Sequence, residues 1–241
     1  MDNLKSNIAV LIDGDNAQPK LIQQILEEVS KYGKATIRRI YGDWTVSQMS
    51  GWKDVINQHS ISPVQKFSYT TGKNSTDSSL IIDAMDILHS KKIDGFCIVS
   101  SDSDYTGLAK RIREEGLFVM GIGEKKTPNA FVQSCEIFTY CENISNEGSG
   151  DTKAKQEANK QPAQNGKLDT TIIDKAFDIS VHEEEEVYIA KVGLNIRKID
   201  PSFDSRTYGF KNLTQLFKSL PKYEVVRNVV KGLNHPLVKL K

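Results

Sequence analysis

The sequence has few cysteines, no long apolar run and no apparent leader segment, and each absence excludes a class of protein. Its three cysteines, Cys97, Cys135 and Cys141, are odd in number and form no C-x-x-C spacing, which argues against a disulfide framework or a zinc site. No apolar run approaches the ~20 residues that a membrane span requires. The N-terminal segment MDNLKSN also lacks the basic-then-apolar pattern of a secretory signal. We therefore expect a soluble, cytoplasmic protein with free thiols and no membrane partner.

The sequence also has almost no net charge. A value of +1 over 241 residues argues against tight, sequence-blind binding of duplex nucleic acid by bulk charge. Residues 1–142 hold 16 Lys and Arg against 18 Asp and Glu, whereas residues 168–241 hold 12 against 10. The acidic excess therefore lies in the first part of the chain, and the last part is only mildly basic.

Histidine is scarce as well. The four histidines are His59, His89, His182 and His235. They are scattered along the chain and none belongs to an acidic motif. This distribution argues against a ribonuclease mechanism that relies on a pair of histidines.

From about residue 7 to residue 141, short apolar runs alternate with segments whose apolar residues recur at helical spacing. This alternation is typical of repeated βα units. The predicted strands are Ile8–Ile12, Lys34–Tyr41, Ser62–Phe67, Phe96–Val99, Leu117–Ile122 and Ile137–Tyr140. The predicted helices are Gln18–Lys31, Ser47–His59, Thr76–His89, Tyr105–Glu115 and Pro128–Ser134. Such a pattern predicts an α/β fold in which helices cover both faces of a central parallel sheet.

The composition changes after residue 142. Residues 143–167 contain one β-branched apolar residue and are rich in Asn, Gly, Gln and Lys, which predicts a flexible linker. Residues 168–241 form a second predicted domain. Its predicted elements are the helices Thr170–Ser180, Glu186–Ile199 and Tyr208–Leu220, and the strands Tyr223–Val226 and Leu237–Leu240. Three helices followed by a hairpin predict a small winged-helix-like domain.

Aspartates gather where the predicted strands end or the helices begin. Asp13 ends the apolar strand in VLIDGDN, Asp77 begins a helix after the loop TTGKNST, and Asp102 and Asp104 follow the strand in IVSSDSDY. Asp104 alone has another explanation, since it could cap the helix that begins at Tyr105. Because ligands bind at the carboxyl ends of strands in open α/β sheets, we expect the acids to converge at one rim. Oxygen-only ligands favour Mg²⁺ or Mn²⁺, so the pattern predicts a metal-dependent enzyme acting on phosphate esters.

Further polar residues near these motifs have a functional and an ordinary interpretation. Asp15 and Asn16 could support the site or cap the next helix. Asp83 lies six residues after Asp77, which at ~100° per residue turns it about 120° away, so we expect a supporting or structural role. Lys73, in the loop before that helix, is a candidate for contacting substrate phosphate, or an ordinary solvated lysine.

Three motifs, VLIDGDN, NSTDSSLIIDAMDIL and IVSSDSDYTGLAKRIREEG, resemble those of the NYN domain family, a branch of the PIN-like nucleases. Order, spacing and strand context match over about residues 7–141. The resemblance implies a PIN-like α/β/α sandwich and a Mg²⁺- or Mn²⁺-dependent ribonuclease. Our prediction for its mode of cleavage is endonucleolytic, with exonucleolytic cleavage as the open alternative. The family's catalytic and metal-binding acids correspond here to Asp13, Asp77, Asp102 and Asp104. Asn16 matches the polar residue of the first motif, and Ser101 replaces the glycine that usually precedes the third-motif aspartate.

The segment TYGFKNLTQLFKSLPKYEVVR is similar to the LOTUS domain, also called OST-HTH. The resemblance implies a module that binds RNA, single-stranded or structured, or a protein partner. The apolar residues of this segment recur at helical spacing, and we interpret the stripe that they form as part of the domain core. Polar side chains are therefore the candidates for an outward substrate-binding surface, chiefly Lys211, Lys218 and Arg227, although solvated surface positions explain them equally well.

Two other functions compete with the nuclease. Asp13-Gly14-Asp15 also resembles the first motif of haloacid-dehalogenase-like phosphatases, in which the first aspartate attacks phosphate. This chain departs from that motif at Ala17, and a helix is predicted at once where the phosphatases have a loop insertion. The non-enzymatic alternative is an RNA-binding or adaptor protein with a catalytically silent nuclease fold.

Overall fold

The computed structural model describes residues 6–67, 75–145, 168–181, 186–230 and 232–241. The chain divides into two compact units, Met1–Ser149 and Gly150–Lys241. Within the described ranges, no helix combines the length and the apolar character needed to cross a membrane.

The N-terminal unit is built on a six-stranded parallel sheet. Its strands are β1 (Asn7–Asp13), β2 (Lys34–Gly42), β3 (Ser62–Gln65), β4 (Gly95–Val99), β5 (Phe118–Gly123) and β6 (Ile137–Tyr140). Its helices are α1 (Ile22–Ser30), α2 (Trp52–Gln58), α3 (Ser75–His89), α4 (Thr106–Glu114), α5 (Asn129–Ser134) and α6 (Cys141–Ser145). The strand order is β3-β2-β1-β4-β5-β6, with every neighbouring pair parallel. The predicted α/β/α sandwich is confirmed.

Strand β1 lies in the middle of the sheet and divides the core into two layers. Ala9 and Leu11 pack in the layer that includes α3 and α4, whereas Ile8, Val10 and Ile12 pack in the layer that includes α1 and α2. Successive side chains of a strand point to opposite faces. The residue after Ile12 therefore faces the α3 and α4 layer, and this alternation decides where the first acidic side chain lies.

Two predicted helices begin as 3₁₀ turns. The predicted helix Gln18–Lys31 opens with the 3₁₀ turn Pro19–Leu21 before α1, and Ser47–His59 opens with Ser47–Gly51 before α2. The strand predicted at Ser62–Phe67 is shorter, because its pairing with β2 ends at Gln65.

Helix α6 extends the folded unit to Ser145, three residues beyond the predicted boundary at residue 142. Asn143 and Ile144 are buried, and Ile144 joins the core layer of α1 and α2. Ile144 is the one β-branched apolar residue in the predicted linker, and its burial holds the segment in the domain. The rest of the predicted linker, residues 146–167, lies outside the described residues.

The C-terminal unit combines three helices with short antiparallel strands. Its elements are α7 (Thr170–Ser180), β7 (Val187–Tyr188), α8 (Ile189–Ile199), α9 (Leu213–Ser219), β8 (Tyr223–Val226), β9 (Val229–Val230), β10 (Leu233–Asn234) and β11 (Leu237–Leu240). Strand β11 pairs with β7 and β8, and β9 pairs with β10. The described core includes Ile173, Phe177, Val192, Phe217 and Val238. This arrangement confirms the small domain of helices and short strands.

Two predicted helices of this unit start later than expected. The segment predicted as helical from Glu186 first pairs Val187–Tyr188 with β11, so α8 begins at Ile189. The segment predicted as helical from Tyr208 turns at Gly209, which has a left-handed φ of 82°. Helix α9 begins only after Asn212, whose side chain accepts a hydrogen bond from the Gln215 N–H at 2.9 Å.

Candidate functional site

Carboxylates from two segments meet at the rim of the N-terminal unit. Asp77 lies in the first turn of α3, and Asp102 and Asp104 lie directly after β4. One carboxylate oxygen of each residue lies within 4.8 Å of the others. Oxygens bound to one Mg²⁺ at ~2.1 Å would lie about 3 to 4 Å apart, so small side-chain movements suffice to close this group on a cation. The oxygen-only donor set therefore fits Mg²⁺ or Mn²⁺.

Asp13 lies at the carboxyl end of β1 and is fully buried. Its carboxylate accepts three hydrogen bonds, from the Ser100 hydroxyl at 2.8 Å, the Asn16 amide at 2.7 Å and the Asp15 N–H at 3.2 Å. These bonds compensate a charge that has lost its water. Asp13 is not one of the three acids that share the 4.8 Å group, but its charge acts on Asp77.

The electrostatics of the site favour a bound cation. Burial raises the pKa of Asp13, against the opposing hydrogen bonds from Asn16 and Ser100. Burial also raises the pKa of Asp77, and the negative charges of Asp13, Asp102 and Asp104 raise it further. The Asp13 and Asp77 carboxylates are therefore costly to ionise, and a divalent cation nearby would relieve that cost.

The first motif does not cap a helix. The residue before the 3₁₀ turn of Pro19 is Gln18, whose side chain makes no capping hydrogen bond. Asn16 instead donates to Asp13, while Asp15 is exposed and contributes its backbone N–H to the same carboxylate. Gly14 is needed here, since a Cβ atom at this position would meet the Tyr41 carbonyl oxygen at 2.7 Å.

The third motif is held by its own side chains. The Asp102 carboxylate accepts a hydrogen bond from the Asp104 N–H at 3.0 Å and so caps the 3₁₀ turn Ser103–Tyr105. Asp104 lies inside that turn, not at its cap. The hydroxyl of Ser101, where the NYN family usually has glycine, accepts the Glu124 N–H at 2.9 Å and ties the loop to the end of β5.

Asp83 lies outside the acidic group. Its carboxylate accepts hydrogen bonds from the Arg39 guanidinium and the Tyr41 hydroxyl, both on β2. Asp83 therefore attaches α3 to the sheet, six residues along the helix from Asp77, which matches a structural role more closely than that of a metal ligand.

We expect the Asp83→Ala variant to lower the free energy of unfolding by about 2 kcal/mol, because two donors lose a charged acceptor. The affinity for Mn²⁺ should stay unchanged. Urea denaturation and Mn²⁺ titration measure the two effects. Asp86→Ala is the matched control, because Asp86 is exposed on the same helix. A loss of Mn²⁺ binding with Asp83→Ala alone would instead make Asp83 part of the metal site.

Two residues hydrogen-bond to the acids although the sequence did not predict that role for them. Ser100 lies in the IVSSDSDY motif without a predicted role, yet its hydroxyl donates to Asp13 and accepts the Asp102 N–H at 3.1 Å. Tyr105, read only as the start of a helix, donates from its hydroxyl to Asp77 at 2.7 Å. Their proximity to the SDSD segment was the available signal. Lys73 lies in residues 68–74, outside the described ranges.

The C-terminal unit presents polar and apolar surfaces. Lys211 lies just before α9, Lys218 lies on α9 and Arg227 follows β8, and all three side chains are exposed. An open groove of about 750 Å³ lies between the starts of α8 and α9 and the β9–β10 hairpin. The largest apolar residues of its lining are Tyr188, Ile189, Leu194, Leu213 and Val230.

The chain matches two known domain families. Residues 7–145 match the NYN domain, over more than half of the chain. The chain belongs to the NYN domain family. Residues 170–234 match the OST-HTH/LOTUS domain, so the predicted two-domain architecture is confirmed. The NYN domain suggests a nuclease-like hydrolase fold of the PIN-like superfamily, and the LOTUS domain a module that binds RNA or proteins.

Two solved structures are similar to this NYN protein. One is a protein of unknown function, VPA0982 from Vibrio parahaemolyticus, with 17% identity and a TM-score of 0.49 over 58% of this chain and 95% of the other. The second is an uncharacterized protein from Nitrosomonas europaea, with 22% identity and a TM-score of 0.31 over 39% of this chain and 91% of the other. Both likenesses are too distant to inform the function. The search of curated proteins found no match.

Proposed function

We propose that this NYN protein is a Mg²⁺- or Mn²⁺-dependent ribonuclease that cleaves RNA internally and is targeted by its C-terminal domain. The observation that carries the proposal is the group of Asp77, Asp102 and Asp104, whose oxygens lie within 4.8 Å of one another beside buried Asp13. The NYN domain match supports a nuclease over other metal-dependent activities.

Each acidic residue has a distinct part in the proposed mechanism. Asp77, Asp102 and Asp104 would hold the cation, and Asp13 adds negative charge behind them. When bound, a divalent cation polarises the phosphodiester and eases deprotonation of the attacking water. Among the described residues, no histidine belongs to the acidic group, so attack by the ribose 2′-hydroxyl lacks that general base. Products should therefore carry 5′-phosphate and 3′-hydroxyl ends.

The geometry disfavours the phosphatase alternative. A nucleophilic aspartate must present one oxygen to the substrate phosphorus. Asp13 is fully buried, and both of its oxygens accept hydrogen bonds. Because Asp13 has no solvent-accessible surface, it is poorly placed to reach a substrate phosphorus, which argues against a nucleophilic role.

The test is cleavage of end-labelled single-stranded RNA by the 241-residue chain in Mn²⁺, in Mg²⁺ and in EDTA. We expect internal cuts only with a cation, and product ends that a 5′-phosphate-dependent exonuclease can degrade. A cyclic phosphate at the 3′ end would contradict the proposed nucleophile. Absence of cleavage on unstructured and structured RNA would favour the silent adaptor.

For the C-terminal domain, we propose that Lys211, Lys218 and Arg227 contribute a surface for RNA. The domain is only mildly basic, so binding must rest on local contacts rather than on bulk attraction. The LOTUS match supports this assignment.

Reversing two of these charges, Lys218→Glu with Arg227→Glu in the full chain, should weaken binding of structured RNA. A plot of log K for RNA binding against the logarithm of the salt concentration has a slope that reflects the number of phosphate contacts. Each lost contact lowers the magnitude of this slope by about one, so the double variant should lower it by about two. Cleavage of short RNA should not change. The matched control is the double variant Lys175→Glu with Lys198→Glu. Lys175 is exposed on α7 and Lys198 is exposed on α8. Equal effects of the two double variants would place the contact surface elsewhere.

Protein binding is the second candidate for this domain, and the groove favours it. Apolar side chains dominate its lining, and Leu194 is 61% exposed. Apolar grooves of this kind accept apolar side chains of a partner segment. If Leu194→Asp abolished a partner interaction that the double charge reversal left intact, the domain would be a protein-binding module.

A further inference from the structure

The segment Ser100–Tyr105 does more than supply two of the acids. Its first residue, Ser100, donates to Asp13, and its last residue, Tyr105, donates to Asp77. One short segment therefore holds the carboxylates that β1 and α3 contribute. Of these two hydroxyls, that of Tyr105 serves the acid that belongs to the 4.8 Å group.

Tyr105 is rigidly placed. It is fully buried, and its ring packs against Phe131 with centroids 6.3 Å apart. Phe131 in turn contacts the edge of Phe138 at 5.8 Å. Because this packing fixes the ring, the Tyr105 hydroxyl keeps one position, and the Asp77 carboxylate must lie beside it to accept the hydrogen bond.

Repulsion acts against that placement. Asp77 is only half-buried and lies at the start of α3, so rotation about its side-chain bonds would carry the carboxylate toward solvent. The neighbouring carboxylates of Asp13, Asp102 and Asp104 act on Asp77 in the observed position. The hydrogen bond from the Tyr105 hydroxyl, 2.7 Å long, holds the Asp77 carboxylate in place against this repulsion.

We propose that Tyr105 is a positioning residue, which holds the Asp77 carboxylate ready to bind a divalent cation together with Asp102 and Asp104. The inference rests on the proposed function for its cation site but not for RNA cleavage. Residues that hydrogen-bond metal ligands orient them, and losing such a partner commonly weakens metal binding 10- to 100-fold, roughly.

The test is calorimetric titration of Mn²⁺ into the EDTA-treated, dialysed 241-residue chain carrying Tyr105→Phe. Phenylalanine keeps the ring packing on Phe131 and removes only the hydroxyl. We expect the Kd for Mn²⁺ to rise about 10- to 100-fold relative to the unchanged protein.

Tyr41→Phe is the matched control. Tyr41 is also fully buried, and its hydroxyl also donates to an α3 carboxylate, that of Asp83. The two variants lose the same kind of bond on the same helix, so both should show a similar decrease in thermal stability. Only Tyr105→Phe should change the Kd for Mn²⁺.

The outcomes separate the two proposals. Unchanged Mn²⁺ affinity in Tyr105→Phe would overturn the positioning role, as would an equal loss in Tyr41→Phe. Absence of Mn²⁺ binding by the unchanged protein would overturn it too. Mn²⁺ binding that depends on Tyr105, without RNA cleavage by any form, would support the positioning role and contradict the ribonuclease.

Discussion

The Asp102→Asn variant should lose at least about 100-fold in Mn²⁺-dependent RNA cleavage, equivalent to about 2.7 kcal/mol of transition-state stabilisation. Asparagine removes one negative charge from the group formed with Asp77 and Asp104. The fold should remain, because the amide oxygen can still accept the Asp104 N–H that the carboxylate accepts at 3.0 Å. Initial cleavage rates and thermal melts in EDTA measure the two effects.

Asp86→Asn is the matched control for this charge. Asp86 is exposed on α3, nine residues after Asp77, which places it about 13 Å further along the helix axis. We expect its cleavage rate to equal that of the unchanged protein. Undiminished cleavage by Asp102→Asn would end the proposal that this acidic group is catalytic.

Mn²⁺ at 100 times its Kd should stabilise the N-terminal unit by about 2.7 kcal/mol, provided that the unfolded chain does not bind it. For a domain of this size, the melting temperature should rise by roughly 5 to 10 °C. The gain should disappear in Asp102→Asn, which lacks one of the clustered carboxylates. Calorimetric scans with and without Mn²⁺ measure it, and an equal gain in both proteins would locate the cation elsewhere.

The same stabilisation should decrease with acidification. Burial raises the pKa of Asp13 and Asp77 above the ordinary value of 3.8, so their ionisation opposes folding of the metal-free protein. As the pH falls through their folded pKa values, protonation relieves this opposition. Protons then compete with Mn²⁺ for Asp77, so the increment in melting temperature should be smaller at pH 5 than at pH 7.5. An increment independent of pH would exclude the Asp77 carboxylate from the cation site.

Sequence alone predicts the parallel sheet, because buried parallel strands are apolar runs that alternate with amphipathic helices. It also indicates that the strand ending at Asp13 and the strand preceding Asp102 deliver acids to the same rim. Helical periodicity likewise separates Asp83 from Asp77 by about 120°. These conclusions need only the local periods of strand and helix, which each segment carries in its own residues.

The tertiary structure decides what those acids contact. Asp13 is 87 residues from Ser100 in the chain, and Asp77 is 28 residues from Tyr105, so no local period reveals either hydrogen bond. The same holds for the attachment of Asp83 to Arg39 and Tyr41, and for the burial of Ile144 within a segment of linker-like composition. Such partners depend on which strands become neighbours and in which register. The sequence thus determined the chemistry available at the rim, and packing between distant segments decided which side chains hold it in place.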